Sequence, residues 1–299
     1  MARSIINIFM IIYGVLNSYS QELGTHWISY PLPNDSSEVL FCYTYHSQQK
    51  PLQAAISFAS TGRLRVYINE RNITRDISFG NSDSNTVNIQ TYDVTRFLQS
   101  GSNIIAVWYA PVQGQPLSKQ LSLEYYGTDA QGRDFYHMTD GNWRCKLLEG
   151  CYVKDNKTEY FDARHYDNEW KSIDYLHSKW LKPLGTYEGE NDVRLSTDML
   201  SCQNYQLKGN SSPIDTLFTD KGEEYDFGHP FIGTIRLTLR DSKKGAILQV
   251  GNLAYTCSGT MDEQAFLRFL TSNDRLILND KKEHFKHFQI MNIEGLEYE

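Results

Sequence analysis

The feature that most constrains this chain is an apolar period of two. In GRLRVYINE, Leu64, Val66 and Ile68 alternate with Arg63, Arg65 and Tyr67, the pattern of a half-buried strand. GTIRLTLRD repeats it, with Ile235, Leu237 and Leu239 on one parity and Arg236, Thr238 and Arg240 on the other. Further β-branched and aromatic runs (EVLFCYTYH, AAISFAS, QLSLEYYG, EYFDARH, AILQV, RLILND, FQIMNIEG) are separated by Gly, Asn and Asp, as at TDAQG and TDGN. NIIAVWYA is apolar on both parities and reads as a central strand covered on both faces. Before it, YDVTRFLQSG reads as a short turn that Asp93 caps, Leu98 holds to the core and Gly101 ends. One helix is expected, in DEQAFLRFLTS, capped by Asp262 with Ala265, Phe266 and Phe269 on one side. No long helical period and no internal repeat appears. Short strands with regular turn signals imply an all-β chain of two β-sandwiches, and 299 residues suffice for two cores. The polar connector DYLHSKWLKPLGTYEGEND places the boundary near Asp174, dividing residues 21–174 from 175–299.

The first twenty residues stand apart from this pattern. MARSIINIFMIIYGVLNSYS carries one early cation, Arg3, then an apolar run from Ile5 to Leu16, with Ser18 and Ser20 just before Gln21. That is the layout of a secretory signal peptide, residues 1–20, cleaved after Ser20. The run is short for a membrane span, and no second run approaches membrane length. The mature protein is therefore expected to be exported, periplasmic or secreted. Export permits disulfides, and Cys145 and Cys151 bracket a loop short enough to pair. Buried free thiols are the alternative for these two and for Cys42, Cys202 and Cys257. No Cys/His array has zinc spacing.

The net charge of −7 is spread through the chain, which excludes a nucleic-acid stripe or a polybasic membrane patch. There is no nucleophile elbow, HExxH, P-loop or dinucleotide fingerprint. DFGHPF shares three letters with a kinase motif and none of its other parts. A glycosidase needs two carboxylates flanking the bond, but with 36 acidic residues no pair stands out. The segment around Arg164, His165 and Asp167 reads as a strand-end polar cluster. The polar loop GNSDSNTVN, residues 80–88, is more suggestive. Asn and Asp oxygens on loops ending a β-sandwich can hold Ca²⁺ and sugar hydroxyls. Asn69, Asp93, Trp108 and Tyr109 are the sugar-binding candidates, the last two as stacking faces, and Asp83 and Asp93 are the metal candidates. Ordinary turn chemistry accounts for the same composition.

Taken in order, these segments resemble the bacterial α-L-rhamnosidases. The matching strings are GRLRVYIN, YDVT and LQSGSNIIAV in the N-terminal half, then NWRC, EYFDAR and Trp170, then EYDFGHPFIGTIRLTLRDSKKGAILQV and FKHFQIMNIEG. The resemblance covers nearly all of the chain after residue 20. It implies a galactose-binding-like or jelly-roll sandwich, then a second one of the kind that precedes the family's catalytic α/α barrel. Departures are Asn69-Glu70 where the family has Asn-Gly, VWYAP where a Gly-Trp-Tyr loop is usual, and Gly251-Asn252 where a Glu often stands. The family's general acid and base lie on the barrel, and this sequence offers no positions to carry them onto. The resemblance therefore implies an exported protein that binds rhamnose-containing, pectin-like glycans with a bound Ca²⁺ and does not hydrolyse them. The alternative is one component of a split or truncated α-L-rhamnosidase that works with a separate barrel. Asp162, Arg164, Asp226 and Gly228 also match family motifs, and structural roles are expected for them: a buried Asp–Arg pair on adjacent sandwich edges, and a tight turn at Gly228.

Overall fold

The computed structural model describes residues 26–32, 38–74, 86–111, 120–149, 152–154, 158–187, 194–196, 207–219, 222–268, 271–279 and 286–298. Residues 1–20, Asp83, Cys151 and Cys202 lie outside them. The architecture is all-β, as the period of two requires. Two sheets face each other in the first unit. One runs in the order Leu184–Tyr187, His26–Ser29, Leu121–Thr128, Gln53–Ser60, Gln90–Asp93, with Asp134–Met138 also paired to Leu121–Thr128. The other runs Arg144–Leu147, Val39–Ser47, Gly101–Ala110, Arg63–Ile68, Arg71–Asn72. Leu64, Val66 and Ile68 point between the sheets with Phe41, Ile56, Phe58, Val107 and Leu123. Gly101–Ala110 is central and buried on both faces from Asn103 onward, as its double-parity apolarity predicts.

The second unit is one folded, mostly antiparallel sheet of ten strands. Its spine is the long strand Gly222–Arg240. The register against Thr271–Asn279 shifts between Asp226 and Phe231. Gly228 sits there at φ +76°, the left-handed region that favours glycine, and Asp226 Oδ1 accepts its N–H at 2.7 Å. A Cβ at Gly228 would come within 2.7 Å of Ile214 Cδ1. The expected tight turn is therefore present. Ile235, Leu237 and Leu239 are fully buried, and Arg240 on the other parity is exposed.

Three expectations are corrected. The predicted helix from Asp262 is a strand, Asp262–Phe266, paired antiparallel to Arg236–Arg240. Glu263, Ala265 and Leu267 are buried while Asp262 and Gln264 are exposed. A period of two decides the matter, and the expected cap was only an acidic strand start. Phe269 lies outside the described residues.

The boundary near Asp174 does not divide the sheets. Tyr152–Lys154 and Glu159–Asp162, before it, belong to the second sheet. Leu184–Tyr187, after it, pairs with His26–Ser29, and Arg194–Ser196 pairs with Thr86–Asn88. The chain crosses to the second unit and returns before staying there. A single apolar cluster spans the junction. Leu40, Tyr67, Ile104 and Trp108 on the back of the first unit pack with Phe161, Trp170, Trp180 and Leu248. Tyr67 meets Trp170 edge-on at 5.8 Å, and Trp170 stacks on Trp180 at 6.2 Å. Arg268, 3 % exposed, lays its guanidinium 3.2 Å from the Phe161 ring centroid.

Asp162 and Arg164 do pair, but within one turn at the surface rather than as a buried bridge between edges. Arg164 Nη2 lies 2.6 Å from Asp162 Oδ2, and His165 Nδ1 lies 3.3 Å from the same oxygen. Asp167 accepts the Glu169 N–H at 3.0 Å, so the cluster serves backbone groups at a strand end. Cys42, Cys145 and Cys257 are buried thiols. Burial pushes Cys145 and Cys257 each up to about 12. The expected Cys145–Cys151 pair involves a residue outside those described.

Candidate functional site

The rings expected to stack on a sugar are inside the protein. Trp108 is 1 % exposed and Tyr109 2 %. They follow one another on the central strand, so one points to each side of its sheet. Trp108 joins the core between the units, where its Nε1 donates to the Glu38 carboxylate. Tyr109 joins the core of the first sandwich, with its hydroxyl 3.0 Å from Thr61 Oγ1. Neither offers a face to a ligand. The sequence signal was real but belonged to a strand covered on both sides.

Asn69 is a hydrogen-bond hub. Its Nδ2 donates to Phe97 O at 3.0 Å and to Asn103 Oδ1 at 2.8 Å, and its Oδ1 accepts the Ile104 N–H at 3.0 Å. Asn69 and Glu70 have φ of 49° and 69° in the Ile68–Arg71 hairpin turn. Asn suits that geometry, whereas Glu bears the strain that a Gly there would remove. Asp93 caps the turn it was expected to cap, accepting the Thr95 N–H at 2.8 Å. Hydrogen bonds from the Thr95 side chain and backbone hold its carboxyl below the usual range. Asp83, the other metal candidate, lies outside the described residues. Among the described residues no group of three or more His, Cys, Asp or Glu is placed to hold a metal, and Asp93 is committed to its own turn.

A cleft of about 440 Å³ opens elsewhere, at one end of the first sandwich. The turn after Val39–Ser47 forms one lip, and the turn between Leu121–Thr128 and Asp134–Met138 forms the other. Its floor is aromatic, from Tyr45, Tyr125, Phe135 and His137. Phe135 and His137 alternate on one strand, and His137 is paired in register with Tyr125. The His137 ring stacks on Tyr125 at 6.0 Å and lies 4.8 Å from Tyr45, while Phe135 lies 5.0 Å from Tyr125. Tyr45 and Tyr125 are buried and support the exposed His137 and the half-buried Phe135. Burial pushes the Tyr125 hydroxyl up to about 12 and the His137 imidazole down, Asp140 opposing the latter. Both groups are thus neutral at pH 7.

The rim is polar. Asp129 Oδ1 accepts the Gln131 and Arg133 N–H groups at 2.8 and 2.9 Å, and Oδ2 takes Arg133 Nε at 3.0 Å. These bonds, the Arg133 N–H first, lower the Asp129 carboxyl. Gln131 Nε2 then donates across the mouth to Gln49 Oε1 at 3.3 Å. Asn103 also lines the cleft, so Asn69 reaches it only from behind. An apolar ring floor under a hydrogen-bonding rim is the make-up of a small-molecule site, and the volume is in range. Such rings can stack on the apolar face of a saccharide. The sequence carries a signal for this floor in the alternation of Phe135 and His137 beside the TDAQG turn.

The fold and cleft define an all-β chain with a ligand-sized site at the end of a sandwich. Residues 49–197 match the family described as the α-L-rhamnosidase N-terminal domain, and the chain is related to that domain. Among solved structures it is similar to the α-L-rhamnosidase from Dictyoglumus thermophilum, with a TM-score of 0.74 and 16 % identity over 92 % of this chain and 35 % of that one. The Streptomyces avermitilis α-L-rhamnosidase complexed with L-rhamnose gives 0.73 and 18 %, over 89 % and 29 %. The Aspergillus terreus α-L-rhamnosidase gives 0.68 and 13 %, over 91 % and 36 %. The chain thus spans about a third of the length of these enzymes. Among curated proteins no sequence matches it. Among the described residues no helix is long and apolar enough to cross a membrane.

Proposed function

We propose that this chain is an exported carbohydrate-binding protein that holds rhamnose-containing, pectin-like glycans in the cleft of its first sandwich without hydrolysing them. The observation that carries the reading is the supported ring pair Phe135 and His137 beneath the rim of Gln49 and Gln131. The relation to the α-L-rhamnosidase N-terminal domain supports rhamnose as a component of the ligand. The test is calorimetric titration of the protein from Gln21 with L-rhamnose and rhamnogalacturonan oligosaccharides, with released sugar assayed in the same samples. Heat without release, lost in Phe135→Ala, is the expected result. Release would mean a hydrolytic site, and heat unchanged by Phe135→Ala would move binding away from the cleft. A parallel titration with chelator tests Ca²⁺, with Asp83 and Asp93 as the expected ligands.

A second reading has one observation in its favour. Ile214, Leu217 and Phe218 are 75 %, 47 % and 72 % exposed on the hairpin of Asp215–Thr219 with the long strand. Exposed apolar side chains can mark interfaces, and Ile214 and Phe218, on one parity of this strand, suit a component that docks a separately encoded catalytic barrel. Co-purification with the product of a neighbouring reading frame, lost in Phe218→Ser, would favour this reading over an independent binding protein.

A further inference from the structure

The rim of the cleft is unevenly committed. Along the run of Asp129, Arg133, Gln131 and Gln49 at its mouth, each side-chain acceptor is engaged and two donors are left over. Asp129 is the one carboxylate among the described lining residues. Both its oxygens are taken, by two backbone N–H groups and by Arg133 Nε and Nη2. Gln131 Oε1 accepts from Arg133 Nη2 at 3.4 Å, and Gln49 Oε1 accepts from Gln131 Nε2. The chain of bonds runs in one direction, from Arg133 to Gln131 to Gln49, and leaves donors at both ends. Arg133 Nη1 and Gln49 Nε2 have no partner among the described residues. The ion pair is also asymmetric. The Arg133 side chain is 76 % exposed and that of Asp129 22 %, so the cation faces the solvent and the carboxylate is tucked beneath its own turn.

A ligand that satisfies such a rim brings acceptors and negative charge. From this geometry we infer that the saccharide seated in the cleft is an acidic sugar, a uronic acid whose carboxylate meets Arg133 Nη1 and Gln49 Nε2 while its ring lies on Phe135 and His137. The inference rests on the reading of the cleft as a glycan site and adds the class of sugar that occupies it. An arginine donating to a carboxylate makes a charge-assisted bond. Because Arg133 is exposed, the gain is that of a surface pair, about fivefold in affinity, and is screened by salt.

The experiment compares D-galacturonate with D-galactose, which differ at C6 alone, by calorimetry at low salt and again with added NaCl. The expected result is an advantage of about fivefold for galacturonate at low salt, shrinking as salt rises. In Arg133→Gln the ratio of the two affinities should fall to about one, and Arg133→Lys should restore part of it. Thermal unfolding checks that each variant is folded. Equal affinities in the wild type, or a ratio that Arg133→Gln leaves unchanged, would overturn the inference while leaving the glycan site standing. Binding of both sugars untouched by Phe135→Ala would instead remove the cleft as the site, and no binding of any saccharide would remove both readings.

Discussion

The His137 ring lies 4.8 Å from the Tyr45 ring, and the two come from the two different sheets of the first sandwich. The contact closes the end of the sandwich and presents an exposed imidazole on a buried phenol. Supporting and presenting roles are thus divided between two residues, and mutation should separate them.

His137→Ala and Phe135→Ala should each lower saccharide affinity by up to about tenfold, with a small effect on stability. Both rings stand at or near the surface, and a ring contact of this kind is worth about 0.5–1.5 kcal/mol. Tyr45→Ala should behave differently. Tyr45 is 8 % exposed, so its loss opens a cavity and costs about 3 kcal/mol of stability. Calorimetry and urea unfolding on the three variants check the division. Equal stability losses in all three would contradict it.

Trp108 makes the opposite prediction from the one its sequence context suggests. Trp108→Ala should cost about 3–5 kcal/mol through the cavity. It also removes the indole donor from Glu38, a carboxylate only 4 % exposed. Trp108→Phe keeps much of the volume and loses the bond, so its cost of about 1–3 kcal/mol isolates the buried carboxylate's demand. Urea midpoints of the two variants check this. Affinity per folded molecule should be unchanged in Trp108→Phe, since Trp108 faces the second unit and not the cleft.

The strands were legible because alternation is a local property. GRLRVYINE and GTIRLTLRD state their buried parity residue by residue, and both kept it. The helix expected from Asp262 failed where apolar residues at mixed spacing fit two periods, and pairing with Arg236–Arg240 decided between them. The boundary failed for a topological reason. Glu159–Asp162 pairs in parallel with Leu253–Thr256, a contact between residues about ninety positions apart that composition cannot show. The site was the least legible. Trp108 and Tyr109 looked like stacking faces because aromatic type is visible in a sequence and the side of a sheet is not. The cleft needs Tyr45, Tyr125, Phe135 and His137 from three strands, and only the fold brings them together.

Glu70→Gly should stabilise the protein slightly. Glu70 holds φ 69° in a two-residue turn where Asn-Gly is the relaxed pair. Relief of left-handed strain, about 1–2 kcal/mol, exceeds the extra freedom Gly gives the unfolded chain, about 0.4–1 kcal/mol. A net gain of up to about 1.5 kcal/mol follows, read as a raised urea midpoint at unchanged slope. A loss instead would mean that the Glu70 carboxylate contributes more through Lys171, whose charge it favours, than the strain costs.

Lys171 gives the chain a pH signature. Its Nζ lies over the Tyr67 ring at 4.8 Å and donates to Asn168 Oδ1 at 2.8 Å. Burial, with Arg268 and Arg65 nearby and Glu70 opposing them, lowers its pKa from 10.5 to about 8. Between those values the unfolded chain holds a proton that the folded chain has released. Stability should therefore rise with pH from about 8 toward 10, and the cost of the folded cation should be full below 8. The buried cysteines act in the other sense above pH 9, because their folded pKa values are raised. The informative quantity is thus the difference between the wild type and Lys171→Met. The variant should be more stable by about 1–2 kcal/mol at pH 7, and the gap should close as pH climbs past 8. A gap that stays constant from pH 7 to 9.5 would mean that Lys171 keeps an ordinary pKa in the folded protein.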